Sequence, residues 1–308
     1  MSPSPPDAPA PAAPVWNLLE QLEGASGAWQ MALDEALLEE AAANPDFRPT
    51  LRLYVFSPGC LSLGRTQKLA SVDAEGARAE GLHLVRRVTG GSGVLHHGEL
   101  TYSVVARTAP PFADDIEQNY TLLSRALAAG LARHFGVSAE LEPSRPAAGP
   151  GAAHGACFLT PALKELKVGG RKLVGSAQRR VRGALLQHGA LPLRTDYALH
   201  GRLFGLAPER LRGAMVDLEE AAGRAVSHAE AARALRTGFE EQLGVRWSEG
   251  GLGAGSEARV RARAEQLVAG RYGLEAWTRE GQDAMSNPAA LDRPLSDGGF
   301  AAKAPRVE

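Results

Sequence analysis

Two residues of this chain have the types and spacing to carry covalent chemistry together: Cys157 and, fifteen positions on, Lys172. They lie in ACFLTPALKELKVGGRKLVGSAQ, residues 156–178. A thiol can hold an acyl group as a thioester, and a lysine ammonium can polarise a carbonyl or pass protons. The pair therefore points to acyl transfer through a covalent intermediate. Cysteine is also among the most often buried residues, and a lone one commonly serves as a small core hydrophobe. The spacing alone leaves both readings open. The other cysteine, Cys60, sits in the apolar stretch CLSLG and is expected to be buried and inert. Lysine usage adds a faint signal, with five lysines against 29 arginines. A lysine kept in such a chain is a candidate for work arginine cannot do, since arginine effectively never gives up its proton.

A second block, RRVTGGSGVLHHGELTYSVV (86–105), is rich in glycine and histidine. Gly90, Gly91 and Gly93 would let the backbone approach a ligand closely. The block fits neither the Walker pattern nor GxGxxG, so an ordinary strand-to-strand turn stands beside a ligand-binding loop. His96 and His97 have no carboxylate or cysteine at zinc-ligand spacing, and HExxH is absent. A structural or substrate-positioning histidine is the better reading.

The elements that must position these residues are visible in the pattern. A strand is read at 15–21, and Ser26 is placed as the N-cap of a helix over about 27–42. Strands follow at 51–56, in CLSLG, at 83–88, and in GVLHH and ELTYSVVA (99–106). Residues 115–135 read as an amphipathic helix. The Pro/Gly/Ala-rich stretch 143–156 reads as a loop with Cys157 at its edge. ELKV and KLVGSA form a hairpin around Gly169-Gly170, and ALLQHGALPL (184–193) is another strand. From about 196 the pattern turns helical, with a Ser227–Glu230 capping box opening a helix to about 243 and another helix over 257–271. Strands early and helices late imply an α+β or α/β fold on a mixed sheet, and α+β is the class expected. The expected organisation is a disordered Pro/Ala-rich tail at 1–14, a catalytic domain over 15–280 whose C-terminal helices span about 196–280, and a disordered tail at 281–308.

The 308 residues suffice for a substantial core, and a net charge of −1 with pI near 6.7 gives no reason to expect nucleic acid or an anionic membrane as partner. Two cysteines exclude a disulfide framework and CxxC zinc chemistry, and fit a reducing cytoplasm. No apolar run approaches the ~20 residues a membrane span needs. The N-terminus lacks the charge and apolar core of a signal peptide.

Together, RRVTGGSGVLHHGELTYSVV, ACF, GRKLVGSAQ and LQHG resemble the biotin/lipoate protein ligase catalytic-domain superfamily. Within it they are most similar to the LipM-type octanoyltransferases of lipoate assembly. The resemblance runs over about 15–278, from the MALDE helix to RYGLEAW. It implies an acyltransferase in which Cys157 takes octanoyl from octanoyl-acyl carrier protein. The acyl group then passes to a lysine of a lipoyl-accepting protein such as the glycine-cleavage H protein. Lys172 matches the family's essential lysine. Arg87, Thr89, Gly90, Gly91, Gly93, Leu95 and His96 match the wall of the acyl pocket, and Gly175, Ser176 and His188 the strands against the thioester. No cofactor or metal is implied. Ser92 departs from a common arginine, and His97-Gly98 from a more usual acidic or histidine pair, which puts acyl-chain or partner preference in question.

Rival readings differ in specific ways. An ATP-dependent lipoate ligase on the same fold would use ATP and Mg and need no cysteine; Cys157-Phe158 and ELTYS count against it. An amidotransferase would use the same thioester but draw octanoyl or lipoyl groups from a lipoyl domain. A non-enzymatic acyl-binding paralogue would be expected to lack Cys157 or Lys172. Biotin ligation lacks its GRGRxGR-type loop.

Overall fold

The computed structural model describes residues 13–141 and 165–281. Its strands are β1 (Val15–Ala25), β2 (Thr50–Phe56), β3 (Cys60–Leu63), β4 (His83–Arg86), β5 (Val94–His96), β6 (Glu99–Arg107), β7 (Glu140–Leu141), β8 (Leu166–Val168), β9 (Arg171–Val181), β10 (Ala184–Pro192) and β11 (Arg246–Trp247). Its helices are α1 (Gly27–Ala43), α2 (Ala74–Ala79), α3 (Ile116–Phe135), α4 (Tyr197–Phe204), α5 (Pro208–Ala214), α6 (Leu218–Ala222), α7 (His228–Leu243), α8 (Ala254–Leu267) and α9 (Glu275–Glu280).

An eight-stranded sheet runs β11-β1-β2-β6-β10-β9-β8-β7, and a three-stranded sheet runs β4-β3-β5. Both are mixed: β1 pairs in parallel with β2 and β11, and β3 with β4, while the β2-β6-β10-β9-β8-β7 run and the β3–β5 pair are antiparallel. This is the α+β, mixed-sheet architecture expected from the order of patterns. Alternation along the strands divides the large sheet. Leu51, Leu53, Tyr102, Val104, Leu185 and Leu191 join Leu127 of α3 and Phe239 of α7 in one core. Tyr54, Val105 and Leu186 turn the other way, toward Leu37 of α1 and Leu267 of α8.

Local chemistry sets the boundaries. The Ser26 hydroxyl accepts from the Trp29 amide at 3.3 Å and starts α1. Ser227 and Glu230 close a reciprocal capping box on α7. Gly169 and Gly170 both take positive φ, 56° and 77°, as a two-residue hairpin turn requires. The helix read at 257–271 differs from the pattern reading. Regular α8 ends at Leu267, and residues Val268–Tyr272 form a π-helical turn. Widening the helix there brings the consecutive Arg271 and Tyr272 onto one carboxylate: Glu35 of α1 accepts from Arg271 at 2.6 Å and from the Tyr272 hydroxyl at 2.7 Å. The strand read at 83–88 leaves its ladder after Arg86, whose guanidinium instead caps the carbonyls of Trp277, Thr278 and Arg279 at 2.8–3.0 Å. The two-residue β7 and β11 and the short α2 carry too few residues to show a period.

Helices α3 and α7 touch at backbone distance. A Cβ on Gly130 would stand 2.0 Å from the Ala234 carbonyl oxygen, and one on Gly238 2.0 Å from that of Ala126. Gly130→Ala is therefore expected to lower stability by about 1–3 kcal/mol through overpacking. Gly213→Ala on α5, which meets nothing within 4 Å, is expected to be neutral or stabilising by roughly 0.5–1 kcal/mol. Urea midpoints of the two variants check the difference, and equal midpoints contradict the close packing.

Candidate active site

The two sheets meet over a narrow cavity of about 30 Å³, room for a water or two. Tyr54, Thr101, Gly175, Ala177, His188 and Ala190 line it from the large sheet, and Ser176 and Gly189 from their strand neighbours. Ser62, Val94 and His96 face them from the small sheet, Arg87 from the end of β4, and Met31 from α1. Among the described residues no carboxylate lines it.

The polar groups around this cavity form two closed chains of hydrogen bonds. In the first, the Asp34 carboxylate of α1 is buried and accepts four bonds. Arg52 and Ser103 each donate to Oδ1 at 2.8 Å, while the Tyr54 hydroxyl and His188 Nδ1 reach Oδ2 at 2.9 and 3.0 Å. Burial pushes the Asp34 pKa up, but the hydrogen bond to His188 and the Arg52 charge outweigh it and hold the carboxyl below its ordinary value. Burial pushes His188 down, against the pull of Asp34 and with help from the Arg87 charge, so its ring stays neutral in neutral solution. A carboxylate only accepts, so Nδ1 carries the proton, and Nε2 accepts from the Thr89 hydroxyl at 2.7 Å.

In the second chain, His96 Nδ1 donates to Glu99, which also accepts from Thr101 Oγ1 at 2.5 Å. His96 Nε2 lies 2.8 Å from Ser62 Oγ, and Arg87 Nη1 donates to that oxygen at 3.2 Å. Phe56 stacks on the His96 ring with centroids 4.0 Å apart. Arg87 Nη2 donates at 2.8 Å to the carbonyls of both Gly90 and Ser92.

Of the residues expected at the site, Arg87, His96, Gly175, Ser176 and His188 come together in the lining. Thr89 is buried behind His188. Gly90 and Gly91 are exposed, and their segment buttresses Arg87 rather than facing the cavity. Gly93 is buried but outside the lining. Leu95 points away, into a separate cluster with Leu61, Leu82 and Phe204, because alternation along β5 puts it opposite Val94 and His96. Lys172 is 2% exposed, and its Nζ meets the Glu165 carboxylate. Cys157 lies outside the described residues. Cys60 is fully buried, and burial drives its thiol pKa far up, as expected of an inert thiol. Sequence reasoning gave no role to Asp34, Arg52 or Glu99. The signal for the first two was a charge at a position the apolar period buries.

Among the described residues no three His, Cys, Asp or Glu side chains are grouped to hold a metal ion, and no helix is long and apolar enough to cross a membrane.

The profile of the lipoyl protein ligase A/B catalytic domain matches residues 26–240, and the chain belongs to that family. Among its relatives, the octanoyltransferase LipM of Symbiobacterium thermophilum is 41% identical, over 85% of this chain and 97% of its own length. The LipM of Kyrpidia tusciae is 38% identical over 85% and 98%. Two solved structures share the fold. A bipartite lipoate protein ligase with its E2 lipoyl domain, from Thermoplasma acidophilum, has TM-score 0.69 at 23% identity over 92% of this chain and 99% of that one. A lipoate-protein ligase A bound with ATP has TM-score 0.68 at 24% identity, over 87% and 99%.

Asp34→Asn keeps the shape of the buried network but strips Arg52 of its counter-charge, so a loss of about 3–5 kcal/mol is expected in equilibrium unfolding. The pH dependence has a definite sign. His188 has a lowered folded pKa, so its contribution is complete above the unfolded value of about 6.5 and falls as pH drops through the folded one. His83 and His200, also lowered by burial, act in the same direction. Stability is expected to decline from about pH 7 to 5, and His188→Gln to flatten part of that slope. A profile flat in the wild type contradicts neutral buried histidines.

Proposed function

We propose that this chain is an octanoyltransferase of protein lipoylation. It takes the acyl group from octanoyl-acyl carrier protein as a thioester on Cys157. It then passes the group to a lysine of a lipoyl domain, the glycine-cleavage H protein being the first candidate. One observation carries the reading: of the three lysines among the described residues, Lys68 is exposed, Lys167 half-buried and Lys172 buried. Desolvating an ammonium costs several kcal/mol even when it is paired, and such groups concentrate at working sites. The octanoyltransferase relatives, which this chain covers almost end to end, supply the acyl group.

The chemistry balances in two half-reactions. The Cys157 thiolate attacks the carrier thioester carbonyl, a new C–S bond forms, and the carrier's thiolate leaves and takes up a proton. The acceptor's neutral amine then attacks the same carbonyl, a C–N bond forms as the C–S bond to Cys157 breaks, and the proton lost from nitrogen passes to the departing Cys157 thiolate. The Lys172 ammonium serves both steps by donating a hydrogen bond to the carbonyl oxygen as it gains negative charge, and by relaying the proton between nucleophile and leaving group. An eight-carbon chain needs more space than the cavity offers at rest. Met31, unbranched and with several rotatable side-chain bonds, is the wall residue best able to yield, and each buried methylene adds about 0.8 kcal/mol of binding.

Incubation with octanoyl-acyl carrier protein without ATP is expected to add one hydroxylamine-labile octanoyl group at Cys157 and none at Cys60, read by intact and peptide mass spectrometry. A label on Cys60, or a requirement for ATP, refutes the transferase reading. Lys172→Ala is expected to cut transfer by about 10²-fold or more, with Lys172→Arg nearly as damaging. Lys167→Ala is expected to cost little. Equal damage at Lys167 and Lys172 would mean that the segment recruits an acidic partner instead.

A further inference from the structure

The strand that carries Lys172 breaks its own alternation. On β9, Gly175 pairs with Ala190 and Ala177 with His188, all facing the cavity. A strict period of two would put Lys172 with Val174 and Ser176 on the opposite face. The register with β8 prevents this. Leu166 pairs with Val174, but the next residue, Lys167, pairs with Lys172. Leu173 is thus one residue in excess on β9, a β-bulge. Paired residues share a face, and Leu166 and Lys167 face opposite ways, so Val174 and Lys172 do too. Leu166, Leu173 and Val174 all join the core beneath α3 and α7. Lys172 is left on the face of Gly175 and Ala177, the face that borders the cavity, although Lys172 itself lies outside the lining.

The same register turns residue 165, just ahead of Leu166, to the side of Lys172, where its carboxylate meets Nζ. Both groups are buried, Glu165 at 5% exposure and Lys172 at 2%. The backbone of Lys172 is fixed from its other edge, where its carbonyl accepts from the Val216 amide at 3.0 Å and it bridges to Met215. Its neighbour Arg171 is held by Glu220 at 2.7 Å. Backbone, strand face and ammonium are each constrained by a different partner.

We infer that Glu165 is a positioning residue for acyl transfer: the bulge at Leu173 turns Lys172 to the cavity face, and the Glu165 carboxylate fixes where its ammonium stands. The inference rests on the reading of Lys172 as the lysine of the transfer. Misplacing a reacting group by about 1 Å can cost about 10²-fold in rate without touching binding. Removing a carboxylate from beside an ammonium also favours the neutral amine, which a purely structural role would not register in the kinetics.

The test is steady-state octanoyl transfer from carrier protein to lipoyl domain by the full chain, comparing Glu165→Gln, Glu165→Asp and Lys172→Ala, with a pH–rate profile and a melting curve for each. Glu165→Gln is expected to lower kcat by about 10²-fold with KM for both partners little changed, and to displace the pH–rate profile toward acid. Glu165→Asp, which keeps the charge but shortens its reach, is expected to keep the wild-type profile and recover part of the rate. Wild-type kinetics in Glu165→Gln beside an inactive Lys172→Ala overturns the role of Glu165 and leaves the lysine reading standing. Full activity in Lys172→Ala overturns the lysine reading itself. A loss in Glu165→Gln that tracks its melting temperature with an unmoved profile also overturns the positioning role. Should Glu165→Gln fail to fold, Glu165→Asp decides: a drop of about tenfold or more at unchanged melting temperature supports the inference, and a wild-type rate overturns it.

Discussion

The arrangement of the two sheets depends on one buried carboxylate. Taking Asp34 out of water costs several kcal/mol, which only full hydrogen bonding and a counter-charge can offset. Its four donors come from three strands, Arg52 and Tyr54 on β2, Ser103 on β6 and His188 on β10. Satisfying them fixes helix α1 against the centre of the large sheet. It also fixes the proton on His188, whose free Nε2 then takes the Thr89 hydroxyl from the small sheet's following loop. The carboxylate thereby reaches both sheets, and loss of any one donor would leave its desolvation less well offset.

The second chain, from Glu99 through His96 and Ser62 to Arg87, does the same across β6, β5 and β3. Together the chains have a consequence for the cavity between them. Its polar neighbours are already bonded to one another, so the space they enclose has little to offer a charged guest and favours hydrocarbon. An octanoyl chain is such a guest. The walls are stiff where the networks run and soft where Met31 enters, so accommodation falls on that side chain and on the bonds nearest it.

Much of this frame was legible in the chain. Caps at Ser26 and Ser227, the Gly169-Gly170 hairpin and the period of α3 are local signals, and each appears where its chemistry places it. The cavity was legible only in part, because its walls are joined by contacts far apart in sequence. Asp34 and His188 stand 154 residues apart, and Ser62 and His96 stand 34 apart. Leu95 shows the limit clearly: a motif places a residue near a site, but strand alternation decides which way it faces. The bulge at Leu173 escaped for a related reason. An apolar run of Leu173 and Val174 reads the same whether or not the register slips, and only the partner strand reveals it.

Charge usage sets the Glu165–Lys172 pair apart from the others. In this arginine-rich chain, three of the buried carboxylates are matched with arginine, Asp34 with Arg52, Glu35 with Arg271, and Glu40 with Arg259, while Glu99 takes His96. That is the choice expected of a structural pair, because the guanidinium fork is pre-organised for a carboxylate and is more weakly hydrated than an ammonium. Glu165 is matched with lysine instead, in one of the most enclosed sites among the described residues. An arginine there would make the better brace and a poorer proton carrier. A compact ammonium on a flexible stem, turned by a bulge to the face that borders an apolar cavity, suits the proton relay proposed for Lys172.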